Sequence, residues 1–420
     1  MTGIPYGAFT RTVREDPERK GLLYAGTETG LYISYNDGLT WRPWQLNLPV
    51  SPITDLKVHQ GDLIAATAGR SFWILDDLGP IRQFNDKVSK DSLLVYKPED
   101  AYRVSGASTL DKVLEEEDDE DAGSSPGRNG FAGTNPSTGV VMYYQLPAKV
   151  DTSATLTMEI QSNQGVVLRK FSSKKDKKFV QFPGGPSPEP TLTVRPGLNR
   201  FVWDMRAETL PAIENVFIEG NYSGRKLPPG NYQAKVKLGK QDKTVTFSIL
   251  ADPRINAMAA DYEQQQKTLM AIEEGVKEIH QGVNRMRKAQ KQINDLVDLI
   301  DDKPNLKAVA DSGRAVAKKI KLWEEKVIQP KSKSNDDVIN FENKLSADYI
   351  FLKGELDVNI PSVTAGQQER LSELNATWQP LKTDMDRLIQ DDISRFNNQC
   401  RQAQLDKITV PDVAVSTPKQ

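Results

Sequence analysis

Cysteine is almost absent from this 420-residue chain: Cys400 stands alone. That excludes an internal disulfide and any cysteine-based metal site. Cys400 falls on an apolar helical stripe, which predicts a small buried hydrophobe rather than a reactive thiol. Histidine is nearly as scarce, with His59 and His280 far apart in sequence. The scarcity argues against a histidine-rich metal site or a Ser-His-Asp triad and leaves carboxylate chemistry open; no metal and no cofactor are expected. Long apolar runs are missing too, so no membrane span is expected, and the amino terminus lacks a charged-then-apolar leader. Neither charge sign dominates: 55 basic residues face 57 acidic ones, for a net charge of −2. No global field therefore favours nucleic acid or an anionic membrane.

What is present begins with Ser34-Tyr35-Asn36-Asp37-Gly38-Leu39-Thr40-Trp41. Asn36 and Asp37 suit a tight turn capped by side-chain bonds to backbone N–H groups, and Gly38 supplies a positive φ. Trp41 is then expected to bury its indole against the preceding strands. The motif belongs to a repeat. Gly21, Leu23, Ala25 and Thr27 recur 40 residues on as Gly61, Leu63, Ala65 and Thr67, while Tyr32 falls on Phe72 and Asp37 on Asp77. Strands are expected at Phe9 to Arg14, Leu22 to Ala25, Ile53 to Val58 and Leu63 to Ala66, each unit adding an aromatic third strand. A period of about 40 residues with four short strands per unit is the pattern of a β-propeller blade; two unrelated hairpins are the plainer alternative.

The stretch Ser34 to Trp41 resembles the Asp-box that fastens blades of sialidase-type (BNR) propellers. With Gly21 to Tyr32, Ala66 to Asp77, Gly197 to Arg206, Pro228 to Tyr232 and Asp252-Pro253-Arg254, the chain resembles the carboxy-terminal part of a bacterial BNR-repeat family labelled glycosyl hydrolase, with a sortilin-like propeller. The resemblance implies a secreted parent, extracellular or periplasmic, and a propeller that captures peptide or glycan ligands. Members of the family often carry His where this chain has Ala68, so any role of that histidine is absent. Two blades cannot close a ring. The implied remainder of the propeller precedes Met1 or comes from another chain.

The fold class expected is multidomain β plus α: two blades of a partial propeller over 1–84, a connector over 85–138, a fibronectin III- or Ig-like β-sandwich over 139–251, an antiparallel helical bundle over 252–405, and a tail over 406–420. The connector holds Glu115 to Asp121, seven consecutive acids that read as a solvated loop. Period-two patterns such as Leu156, Met158 and Ile160 mark the sandwich, with Trp203 in its core. Lys174 to Lys178 reads as a charged hairpin tip, since no aromatic residue interleaves the lysines. From Met258 to Ile300 a 4-3 spacing predicts a helix of about 45 residues, filled by three later helices of the same chain rather than by a second copy. Val338 to Leu356 reads as one helix, Thr364 with Gln367 as a capping box, and Pro380 as a kink or split in the last helix.

Two functions follow. The first is a binding and scaffold portion without a complete active site. The second is a truncated glycoside hydrolase, which needs a carboxylate pair at roughly 5 to 9 Å with one raised pKa. The two blades offer Asp16, Glu28, Asp55, Asp76 and Asp77; Asp76 and Asp77 also suit turn capping. Arg70 is the candidate to face a ligand at the propeller centre, with a salt bridge to a blade carboxylate as its plainer role.

Overall fold

The computed structural model describes residues 2–84, 92–104, 136–151 and 153–412. The acidic run Glu115 to Asp121 and the end of the tail lie outside the described residues. The chain is mixed β and α, with several sheets followed by a helical carboxy-terminal region.

The first sheet is an antiparallel meander of β1 (Thr10–Glu15), β2 (Leu23–Thr27), β3 (Leu31–Ser34) and β4 (Arg42–Pro43), in that order. The second repeats it with β5 (Ile53–His59), β6 (Asp62–Thr67) and β7 (Phe72–Leu75). The backbones repeat as well. Gly21 and Gly61 take φ of 78° and 89°, and Asp37 and Asp77 take 58° and 59°. The repeat departs from expectation at its fourth strand, because β7 is followed by a short helix, α1 (Gly79–Gln83). Pro80 supplies the fixed φ of an early helical position and has no N–H for a strand ladder. Leu22, Tyr24, Leu31 and Ile33 of the first sheet share a core with Ile53, Leu56, Leu63 and Ala65 of the second.

Two further sheets share another core. One runs β13 (Gly197–Trp203), β10 (Val140–Leu146), β8 (Leu94–Val95). The other runs β12 (Val167–Ser172), β11 (Leu156–Ser162), β14 (Gly230–Leu238), β15 (Gln241–Ala251), β9 (Ala101–Arg103), all antiparallel except the β15–β9 edge. Strict alternation along β10 and β11 buries one face of each. Trp203 is fully buried against Tyr232 and Phe247, as its apolar i±2 neighbours predicted. The expected boundaries shift in two places. β8 and β9 come from the segment read as connector, because their backbones pair with β10 and β15. Conversely, the stretch 210–222 carries Leu210, Ile213, Val216, Ile218 and Tyr222 away from the sheets and into the helical core, while Ala207 and Leu227 on either side of it stay in the sheet core. Lys174 to Lys178 are exposed, but they leave the edge strand β12 without a partner strand following, so they do not tip a hairpin.

The helical region is built on α2 (Ala259–Ile300), with α3 (Lys307–Val327), α4 (Leu345–Leu356), α5 (Ala365–Arg387) and α6 (Ser394–Gln402). The 4-3 stripe of α2 is buried from Tyr262 to Ile300 by helices of the same chain, apart from the half-buried Gln290, whereas Met258 stays exposed. Three expectations need correction. Only Leu345 to Leu356 forms the third helix; Asn335 to Ile339 is a separate 3-10 turn held by the Ser334–Asp337 box, leaving Ile339 exposed. Pro380 does not split α5. The Trp378 indole and the Lys382 ammonium, on either side of it, both donate to Glu278, at 2.8 and 2.7 Å, and pin the helix across the missing N–H. The irregularity falls later, as a π-helical stretch from Leu388 to Ile393. The tail is not free at its start: Ile408 joins the helical core and exchanges two bonds with the Asn397 side chain.

A buried polar weld joins the two-sheet unit to the helices. Arg103 of β9 is fully buried and donates to the Leu227 carbonyl at 3.0 Å, the Asn359 carbonyl at 2.8 Å and Gln265 Oε1 at 3.0 Å. Asp357 bonds Arg206, the Lys226 amide and Lys353, and Glu273 pairs with Arg225 at 2.6 Å. Burial and the neighbouring guanidinium groups of Arg103 and Arg206 push the Lys226 ammonium down to about 8.

Candidate functional site

The positive-φ turn at Asp77 has a second consequence. Asp77 donates its amide to Asp62 Oδ1 at 2.9 Å and accepts the Gly79 amide at 2.9 Å, closing the end of the second sheet. The β5–β6 turn lies beside it, where Gly61 takes a left-handed φ of 89° that disfavours any Cβ and lies against the Glu99 carboxylate. Glu99 arrives from the segment between β8 and β9. Together Asp62, Asp76, Asp77, Glu99 and Asp100 form one wall of a cleft of about 370 Å³ between the second sheet and the two-sheet unit. Arg200 of β13 lines the same cleft, donating to Ser137 Oγ at 2.7 Å, bonding Tyr143 and pulling Asp76 and Asp77 down against their burial.

The wall is electrostatically crowded. Burial, then Asp77, push the Glu99 carboxyl up to about 7; Arg82, 3.8 Å away, opposes them, and Asp62 and Glu18 add further repulsion. Burial also raises Asp77, against the pull of the Gly79 amide, and raises Asp76, with Asp62 adding to it. A carboxyl that changes charge near neutrality in an open cleft can give or take a proton at physiological pH.

Of the five carboxylates singled out from the sequence, only Asp76 and Asp77 enter this cleft. Asp16 is buried beneath Arg82 at 3.0 Å and accepts the Tyr24 hydroxyl at 3.1 Å. Glu28 pairs with Arg11 and Asp55 with Arg14, each at 2.5 Å. Arg70 lies in the exposed β6–β7 turn, at the opposite end of the second sheet from the carboxylates. Its backbone accepts the Trp73 indole at 2.9 Å, and its guanidinium makes no ion pair among the described residues. Glu99, Asp62 and Arg200 carried no sequence signal, since their convergence spans up to 138 residues and three separate elements.

The turn at Ser34 to Trp41 is closed by side chains. Ser34 Oγ accepts the Gly38 amide at 3.0 Å, and Asn36 Oδ1 accepts the Thr40 amide at 2.9 Å. Asn36 Nδ2 donates to Thr40 Oγ1 at 2.9 Å. Asp37 contributes its left-handed backbone rather than a capping bond, with Gly38 at φ 77° beside it. Trp41 is buried with Ala25 and Tyr32. Nothing in the turn faces the acidic cleft. His280 and Cys400 are fully buried in the helical region, and His59 is exposed. Among the described residues no cluster of His, Cys, Asp and Glu is placed to hold a metal ion, and no helix is long and apolar enough to cross a membrane.

No family model matches the sequence, and neither does any curated protein. Among solved structures, the extracellular domain of a hybrid two-component system from B. thetaiotaomicron is similar at 11% identity and a TM-score of 0.14. The match covers 59% of this chain and 26% of that one, so the chain spans about a quarter of that structure's length. No feature of fold or function follows from a score that low.

Proposed function

We propose that this chain is the carboxy-terminal part of a secreted, sortilin-like BNR-repeat propeller protein, a binding and scaffold portion without a complete active site. Residues 1–84 are then two propeller blades, and the two-sheet unit is a fibronectin III- or Ig-like sandwich that joins them to the helical bundle. The observation that carries this reading is the repeat of fold and turn: two sheets with matching strands and matching left-handed residues at Asp37 and Asp77, stacked face to face. A ring needs more such sheets than two. The ligand, peptide or glycan, would be taken by the propeller as a whole. Three of the five blade carboxylates are already neutralised by arginines, which supports a structural role for them. The test is turnover: the purified chain, offered a broad panel of glycans and aryl-glycosides, should release no product. Robust hydrolysis abolished by one carboxylate change would overturn the reading.

One observation favours a truncated glycoside hydrolase instead, the raised Glu99 carboxyl beside Asp77. In that case Glu99→Gln removes turnover, and the wild-type rate falls as pH rises through about 7, where the acid loses its proton.

A further inference from the structure

A second cleft, of about 450 Å³, lies between the two-sheet unit and the stretch that enters the helical core. Arg169 of β12 and Asp204, just past β13, come from the sheets, and the turn 220–223 comes from the other side. The segment 185–190 closes the cleft as a strap. Its walls are fixed. Pro186, Pro188 and Pro190 set φ along the strap, whose Glu189 also accepts the Thr209 hydroxyl. Gly220, at φ 141°, rests on Ile350 of α4. Arg169 is held as firmly: it donates to Asp204 Oδ1 at 2.8 Å and to Glu189 Oε2 at 2.9 Å, with its guanidinium 4.9 Å from the centre of the Phe171 ring.

One group in this arrangement is left without a partner. Only 7% of the Arg169 side chain is exposed, yet its Nε has no hydrogen-bond partner among the described residues. Buried donors are nearly always paired, because an unpaired one loses its hydration and gains nothing in return. Acceptors stand beside it. Asp204 takes its bonds from Arg169 and from the Arg206 amide on Oδ1 alone, which leaves Oδ2 of this half-exposed side chain free to accept.

Charge selects the occupant. An anion drawn to the Nε–H would stand against both Asp204 and Glu189. A cation drawn to those carboxylates would meet the guanidinium that already pairs with them. An apolar group would leave the Nε–H unpaired. Neutral hydroxyl groups serve both needs, accepting from Nε–H and donating to a carboxylate oxygen. We infer that this cleft is a binding site for a neutral polyhydroxylated ligand, a sugar or sugar-like polyol, with Arg169 Nε as the donor and Asp204 as the acceptor. All of its residues lie outside the two amino-terminal sheets, so the site stands whether or not those sheets belong to a propeller. A ligand seated here touches the sheet unit and the stretch anchored among the helices at once, as ligands at unit boundaries do.

Binding to the folded chain alone raises its melting temperature. The test titrates the purified chain with glucose, galactose, mannose, xylose and N-acetylglucosamine over about 1–100 mM, the range expected for ligands of this size. Acetate, glycine and ethylammonium, at matched ionic strength, are the anionic, zwitterionic and cationic arms. At least one sugar should raise the melting temperature in a saturable way and shift the Arg169 Nε–H resonance of chain labelled with ¹⁵N-arginine. Arg169→Lys identifies that resonance by its loss. Asp204→Asn keeps an oxygen for Arg169 and for the Arg206 amide, so it should fold with an unchanged melt, yet bind the sugar at least about tenfold more weakly. Three results overturn the inference: no sugar moves the melt or the resonance, a charged probe moves them instead, or Asp204→Asn folds and binds the sugar undiminished. The last result would place the sugar elsewhere in the chain.

Discussion

Glu99 and His280 are titratable groups whose environments push in opposite directions. Glu99 is raised to about 7, above its ordinary 4.5, so the folded chain holds a proton that the unfolded chain releases. Its contribution to stability is complete below about 4.5 and lost as pH rises through about 7. Glu99→Gln should therefore flatten part of the decline in urea midpoint between these values and raise the midpoint above pH 7. An unchanged pH profile would refute the crowding of the acidic wall. His280 is fully buried, with Nδ1 2.7 Å from the Pro211 carbonyl and Nε2 2.5 Å from Ser346 Oγ. The carbonyl can only accept, so Nδ1 carries the proton and Ser346 donates to Nε2. Burial lowers this imidazole to about 4, and its contribution is present above 6.5 and lost as pH falls through about 4. His280→Leu leaves a buried carbonyl and a buried hydroxyl unpaired, at a cost of about 2–4 kcal/mol. It should also remove part of the acid limb in the same denaturation series.

Elements meet in the helical region through glycines whose missing Cβ makes room. Gly275 of α2 is one: a Cβ there would stand 2.5 Å from the ring of Tyr349 on α4, which is itself fully buried. Helix propensity alone predicts that Gly275→Ala stabilises by about 1 kcal/mol. Overpacking against a ring that cannot move costs about 1–3 kcal/mol, so the net effect should be destabilising. Gly354, on α4 itself, has nothing within 4 Å of its Cβ position, and Gly354→Ala should stabilise instead. Thermal melts of the two variants check the contrast, and a stabilised Gly275→Ala would show that the helices do not approach so closely. The length of α2 was legible from its apolar period, but these contacts were not, because period reports which face is buried and not what lies against it.

At the scale of the whole molecule, Arg103 decides whether the sheets and the helices behave as one body. It bonds four groups from three different segments and stacks 5.3 Å from the Tyr262 ring. Arg103→Met should cost roughly 3–5 kcal/mol, since it strands buried acceptors. It should also split a single denaturation transition into two, read by tryptophan fluorescence and far-UV circular dichroism. A single, barely shifted transition would show that apolar contact alone joins the units.

The sequence by itself determined the periods and the turns. Its 40-residue repeat marked the strands of the first two sheets, its alternation marked β10 and β11, and its 4-3 spacing marked α2, because side-chain direction follows backbone geometry residue by residue. Capping chemistry at Thr364 and Gln367 was equally local. Only the tertiary structure decided which segment joined which core: β8 and β9 to the sheets, 210–222 to the helices, Ile408 to α6 and its neighbours. It alone assembled the acidic cleft from Asp62, Asp77, Glu99 and Arg200, and it alone showed that Pro380 is bridged rather than broken. Each of these is set by contacts between residues distant in the chain, where burial and charge are properties of neighbours that no local pattern encodes.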